Sequence, residues 1–102
     1  MAEPVRLVRA VEALGLRAED RVLEIGCGTG VAVSLVAGRL TTGRITAIDR
    51  SAHAVEAARR RNTEHLASGR AVLLHTPLSE LAGPPATGGA FDKVFAVNVN
   101  DF

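Results

Sequence analysis

Three glycines stand at alternate positions in Gly26-Cys27-Gly28-Thr29-Gly30, directly after the apolar run 22–25 and before a second apolar run at 31–40. A backbone without side chains at every second residue can turn sharply and let a ligand approach the main chain. A helix starting just beyond the turn presents free backbone N–H groups at the same place. Strand, glycine turn and helix in that order form the architecture of a nucleotide-binding βαβ unit. Asp49 lies nineteen residues beyond Gly30, at the end of the next apolar run. A carboxylate there can accept hydrogen bonds from both ribose hydroxyls of a nucleoside held over the first strand.

The spacing distinguishes two ligand classes. A dinucleotide fingerprint has its third glycine three residues after the second. Here that position is Val31 and the third glycine is Gly30, giving G-x-G-x-G. The string Val22-Leu23-Glu24-Ile25-Gly26-Cys27-Gly28-Thr29-Gly30 resembles motif I of the class I, Rossmann-like S-adenosylmethionine-dependent methyltransferases. The resemblance implies S-adenosyl-L-methionine as cofactor, its methionine portion wrapped by Gly26, Gly28 and Gly30 with Cys27 and Thr29 between them. It implies that Glu24 orients the turn and favours the cofactor's positive charges, although a strand carboxylate with a structural partner is the alternative. Asp49 matches the family's acidic residue at this place, and Arg50 the residue that packs on adenine. After the third strand the family often has an acidic residue that reads the adenine amino group. Pro77 occupies that position here, leaving backbone groups near Leu78 for the contact. The stretch 91–98 resembles the family's FD-x-V motif IV, whose exit would bring Asn98 towards the transferable methyl; Asn98 and Asn100 are the polar candidates there.

The implied activity is methyl transfer to an acceptor of small-molecule type. Such a transfer gains much of its rate from holding acceptor and methyl in line, with no universal catalytic residue. Two other readings stand beside it. One is a non-catalytic cofactor-binding or assembly fragment. The other is an NAD-type oxidoreductase domain, disfavoured by Val31 in the third glycine position.

Other chemistry-bearing residues carry plainer expectations. His75, alone at a strand end, reads as structural rather than as a base. Cys27 has no identifiable activating base, and the sequence offers no metal-spaced Cys/His set. Arg59, Arg60 and Arg61 read as a solvated helix face, with Glu56 able to pair with Arg60 at i+4.

The elements needed to position these residues follow from periodicity. Residues 4–14 have Leu7, Val8, Val11 and Leu14 on one face of an amphipathic helix, closed by Gly15. Strands are expected at 21–26, 44–49, 71–74 and 91–97, and helices at 31–40 and from the N-cap Ser51 to about residue 67. One helical turn is expected at 77–81, and the Gly/Pro-rich 83–89 is a loop. Uninterrupted apolar strands alternating with helices predict an α/β fold: a parallel sheet with helices on both faces, in strand order 3-2-1-4. Residues 1–102 form one partial domain, with a leading helix in 1–15 and the glycine-rich βαβ cofactor unit in 21–50.

The family fold has about seven strands, so the chain is expected to supply the cofactor side and to lack the substrate side. The outer edge of the fourth strand, with Lys93 as its one gatekeeper, is then expected to promote self-association. Composition sets the outer limits. At 102 residues and 47% hydrophobic, the chain suits one small packed domain. Its net charge of +1 gives no nucleic-acid footprint. The charged N-terminal segment suits neither a signal peptide nor a membrane span, so a cytoplasmic protein is expected.

Overall fold

The four apolar runs pair side by side, because each is too short and too apolar to be stable with its backbone exposed. A computed structural model describes residues 5–81 and 91–96. In it β1 (Arg21–Ile25), β2 (Arg44–Asp49), β3 (Ala71–His75) and β4 (Lys93–Phe95) form one parallel sheet in the order β3-β2-β1-β4. Consecutive residues Val22, Leu23 and Glu24 are buried in β1, as are residues 45–48 in β2. Since successive side chains point to opposite faces, both faces of these central strands are covered. The chain winds from β1 to β3 in one direction and then crosses back to β4. The strand order therefore reverses at β1, and in open α/β sheets ligands bind at such a point, outside the strands' C-terminal ends.

The helices follow the expected pattern with two corrections. α1 (Val5–Ala13) buries Leu7 and Val11, and Gly15 (φ +61°) follows it. α2 is Val31–Ala37, shorter than the expected 31–40, because Arg39 and Leu40 bond back three residues, to Val36 and Ala37, rather than four. The helix expected from Ser51 to about residue 67 is two helices. α3 (Ala52–Arg61) is capped by the Ser51 hydroxyl, which accepts from the Ala54 N–H at 3.1 Å. α4 (Thr63–Ser68) begins after Asn62, whose φ of −115° and ψ of 30° interrupt the helix. Pro77 leads into a 3-10 turn at Leu78–Glu80. The Glu56–Arg60 pair forms as expected at 3.6 Å, on an exposed face.

Two junctions set the sheet's geometry. The Ala18 carbonyl accepts the N–H groups of Thr41, Thr42 and Gly43, which pins the turn before β2 to the loop before β1. A side chain at Gly43 would fall on the Asp20 backbone. β4 is tied at its start: Asp92 N–H donates to the Arg21 carbonyl at 2.7 Å, and Arg21 N–H donates to the Asp92 carboxylate at 2.8 Å. Lys93 corrects its expected role as an edge gatekeeper. Its ammonium lies 2.7 Å from the carboxylate of buried Asp20, which also accepts the Arg17 N–H. The Lys93 hydrogen bond, then the Arg17 amide, hold the Asp20 carboxyl below the usual carboxylate range. The strand expected at 91–97 is formed at Lys93–Phe95; residue 97 and the loop 83–89 lie outside the described residues.

Candidate functional site

The end of β1 is bound to its neighbour before the turn begins. Gly26 and Cys27 both donate to the Ile48 carbonyl at 2.9 Å, and Gly30 N–H closes the turn onto the Cys27 carbonyl at 3.0 Å. Gly28 has φ +55°, with nothing among the described residues within 4 Å of where a Cβ would stand, so its α-carbon faces outward. Gly30 has φ +88°, and its Cβ would lie 2.8 Å from both the Ala58 Cβ and the Asn62 side-chain nitrogen. The glycines thus differ in their surroundings: Gly28 faces outward, whereas Gly30 lets α3 pack directly on the turn.

Asp49 lies at the end of β2, half-buried, and is more constrained than a free strand-end carboxylate. One oxygen accepts the Gly28 N–H at 3.0 Å and the other the Ser51 N–H at 2.8 Å. The residue therefore joins the glycine turn to the start of α3. Each carboxylate oxygen keeps acceptor capacity beyond these single bonds. Arg50 is exposed, and its carbonyl is 2.9 Å from His75 Nε2, which gives His75 a structural bond. Thr29 is exposed, and Leu78 is exposed in the 3-10 turn beyond β3. Asn98 and Asn100 lie outside the described residues.

Glu24 is the anomaly of the site. It is 0% exposed, and neither carboxyl oxygen has a hydrogen-bond partner among the described residues. Burial, with the nearby charge of Asp49 adding to it, pushes its carboxyl up to about 8. A buried carboxyl left without a donor is costly, and a cationic ligand group would satisfy it.

Cys27 is also buried, but within the apolar core. Burial, then the charges of Glu24 and Asp49, pushes its thiol up to about 12. A buried thiol held in its neutral form is a poor nucleophile. Sequence reasoning missed Arg61 and Asn62. Arg61 Nε donates to the Thr29 carbonyl at 3.1 Å, and Asn62 Nδ2 to the Gly30 carbonyl at 3.1 Å. An asparagine inside a helical pattern was the available signal, since such residues compete for backbone groups. Among the described residues no group of His, Cys, Asp and Glu could hold a metal ion, and no helix is long and apolar enough to cross a membrane.

Comparisons with known proteins agree with this geometry. A family profile described as methyltransferase domain matches residues 22–102. A protein-L-isoaspartate O-methyltransferase of Methylorubrum populi is 45% identical over 62 residues, covering 60% of this chain and 28% of that protein. A SAM-dependent methyltransferase from Thiobacillus denitrificans, solved in complex with S-adenosyl-L-homocysteine, has a TM-score of 0.73 at 26% identity. That match covers 95% of this chain and 37% of the other. A SAM-dependent O-methyltransferase from Thermotoga maritima shares the fold, with a TM-score of 0.76 at 18% identity over 94% of this chain and 35% of the other. The chain thus spans 28% to 37% of the length of these proteins. With the sheet order, the glycine turn and the profile match over residues 22–102 in agreement, the chain belongs to the methyltransferase-domain family.

Proposed function

We propose that the protein binds S-adenosylmethionine at the crevice beyond β1 and serves methyl transfer to a small-molecule acceptor. The observation that carries this reading is Glu24, a buried carboxyl with no hydrogen-bond partner among the described residues, beside a turn open at Gly28. Both features fit the cofactor: a cationic group would satisfy Glu24, and Gly28 leaves space where any other residue would place a Cβ. When bound, the cofactor supplies a methyl group on a positively charged sulfur, open to in-line displacement by an acceptor nucleophile. The chain's own contribution is binding and orientation. Ionised Glu24 would balance positive charge, and the turn of Gly26 to Gly30, with Cys27 and Thr29 contributing backbone, would hold the methionine portion. Asp49 would accept from the ribose hydroxyls with its remaining lone pairs. Arg50 and the backbone near Leu78 would flank the adenine, and Asn98 would approach the reacting centre. Alignment of methyl and acceptor then lowers the barrier.

The near-neutral chain supports a small acceptor over a polyanion. Val94, 54% exposed on β4, supports association of the chain with itself through that edge. Calorimetric titration of the full chain with S-adenosylhomocysteine and with NAD tests the cofactor reading. Binding of the sulfur nucleoside without competition from NAD is expected; binding of NAD alone would reject it. Light scattering tests the edge, where a monomer at all concentrations would exclude self-association.

A further inference from the structure

The break between α3 and α4 falls directly behind the glycine turn. Asn62 is 1% exposed, and its side chain is fully engaged. Its amide nitrogen donates to the Gly30 carbonyl at 3.1 Å and to the Ala58 carbonyl at 3.0 Å, and its oxygen accepts from the Ser34 hydroxyl at 2.7 Å. Arg61, exposed and one residue earlier, donates through Nε to the Thr29 carbonyl at 3.1 Å. Two consecutive peptide carbonyls of the turn are thus held from behind by two consecutive residues of one junction. The break itself follows from this. Asn62 and Thr63 side chains bond the carbonyls of Ala58, Arg59 and Arg60, offering the last turn of α3 partners other than a continuing helix. Removing the Asn62 amide would take an acceptor from the Ser34 hydroxyl and one donor from the Gly30 carbonyl. What the amide adds is orientation. It fixes the peptide plane after Gly30, as Arg61 fixes the one before it, and the Gly30 N–H in turn closes on the Cys27 carbonyl and sets the curvature of residues 27–30.

We infer that Arg61 and Asn62 are positioning residues for cofactor binding, clasping the carbonyls of Thr29 and Gly30 so that the turn is held in its ligand-accepting shape. Ser34 orients the Asn62 amide for that task. None of the three need touch the ligand. The inference rests on the reading of the turn as the cofactor cradle, and the experiment separates the two. The full chain and its variants Arg61→Ala, Ser34→Ala and Asn62→Asp are titrated with S-adenosylhomocysteine by calorimetry. Each is also unfolded in urea and followed by residue-resolved amide hydrogen exchange. Arg61→Ala should weaken binding by roughly three- to tenfold with little change in the unfolding midpoint, as expected for one lost hydrogen bond that is exposed to solvent. Asn62→Asp keeps the shape, removes the donor and places a carboxyl against two carbonyls, so its loss of affinity should be larger. In each variant exchange should accelerate at residues 27–31 and stay unchanged in β2. If Asn62→Asp does not fold, Arg61→Ala and Ser34→Ala decide the matter. Folded variants with parental affinity, or exchange accelerated uniformly across the sheet, would overturn the clasp. Failure of the parent chain itself to bind would reject the cofactor reading instead, while exchange at residues 27–31 would still decide whether the junction holds the turn.

Discussion

Replacing Glu24 by glutamine isolates the cost of holding an ionised carboxyl inside the sheet. Burial, aided by Asp49, moves this group from 4.5 to about 8, and neither of its oxygens has a donor among the described residues. The folded-state value is the higher one, so between these two pH values the native protein keeps a proton that the unfolded chain has released. Stability is therefore complete below about pH 4.5, falls as the pH rises, and levels off above about pH 8. At about 1.4 kcal/mol per decade of proton affinity, the loss is about 3 kcal/mol near about pH 7 and about 5 kcal/mol above the upper value. That is a large share of the roughly 5–15 kcal/mol that holds a typical domain together. Glutamine has nearly the same shape and stays neutral, so Glu24→Gln should be more stable than the parent by those amounts, with this pH dependence removed. Urea unfolding followed by circular dichroism from about pH 5 to about pH 9 measures it. Parallel stability curves for parent and variant would refute the reasoning, because they would mean that the ionised carboxylate is already satisfied. The same displacement couples ligand binding to proton release. A cationic group beside Glu24 ionises it, so affinity for S-adenosylhomocysteine should rise towards tenfold per pH unit below the upper value. Calorimetry in buffers of different ionisation heat counts the proton.

Other substitutions test the rest of the site. Asp49→Ala should weaken S-adenosylhomocysteine binding by about 1–3 kcal/mol and lower stability by a similar amount, because the Gly28 and Ser51 amides lose their acceptor. Calorimetry and urea unfolding measure the two, and an unchanged dissociation constant would remove Asp49 from the site. Gly28→Val should abolish binding at a backbone cost of about 1–2 kcal/mol, whereas Gly30→Ala should cost about 3 kcal/mol or more through its clash with Ala58 and Asn62. If urea unfolding ranks the two in the opposite order, the roles assigned to these glycines are exchanged. Cys27 should react with a thiol reagent far more slowly than free cysteine until the chain is denatured. Rapid labelling of the native protein would place it outside the core.

The sheet was legible in the sequence because its signals are local. Val22 to Gly26 and Arg44 to Asp49 are apolar runs ended by a turn glycine and an acid, and both strands lie where those runs lie. The glycine turn and Asp49 were legible for the same reason. The site's supports were not, because they depend on which groups meet across the fold. Nothing in the run Arg59-Arg60-Arg61-Asn62 shows that the helix stops there, since the partner of Asn62 is the Gly30 carbonyl, 32 residues away. Nor does the motif around Glu24 show that its oxygens lack a donor among the described residues. Lys93 read as an edge charge because its partner Asp20 is 73 positions distant.

The tie at the start of β4 also bears on the order in which the molecule assembles. β1, β2 and β3 meet their neighbours through short crossovers, but Arg21 must find Asp92 across 71 residues. Closing a loop three times as long costs only roughly 1 kcal/mol more, so the effect on final stability is small. The effect on timing is larger, since contacts distant in sequence form late. The three-stranded half is expected to gather first, both in refolding and as the chain leaves the ribosome. β4 then docks, and only this last closure brings the two walls of the crevice together. Ligand can therefore trap the final step without guiding the earlier ones. In pulse-labelled hydrogen exchange the Ile48 amide should gain protection before that of Phe95; simultaneous protection of the two would show that the strands condense together.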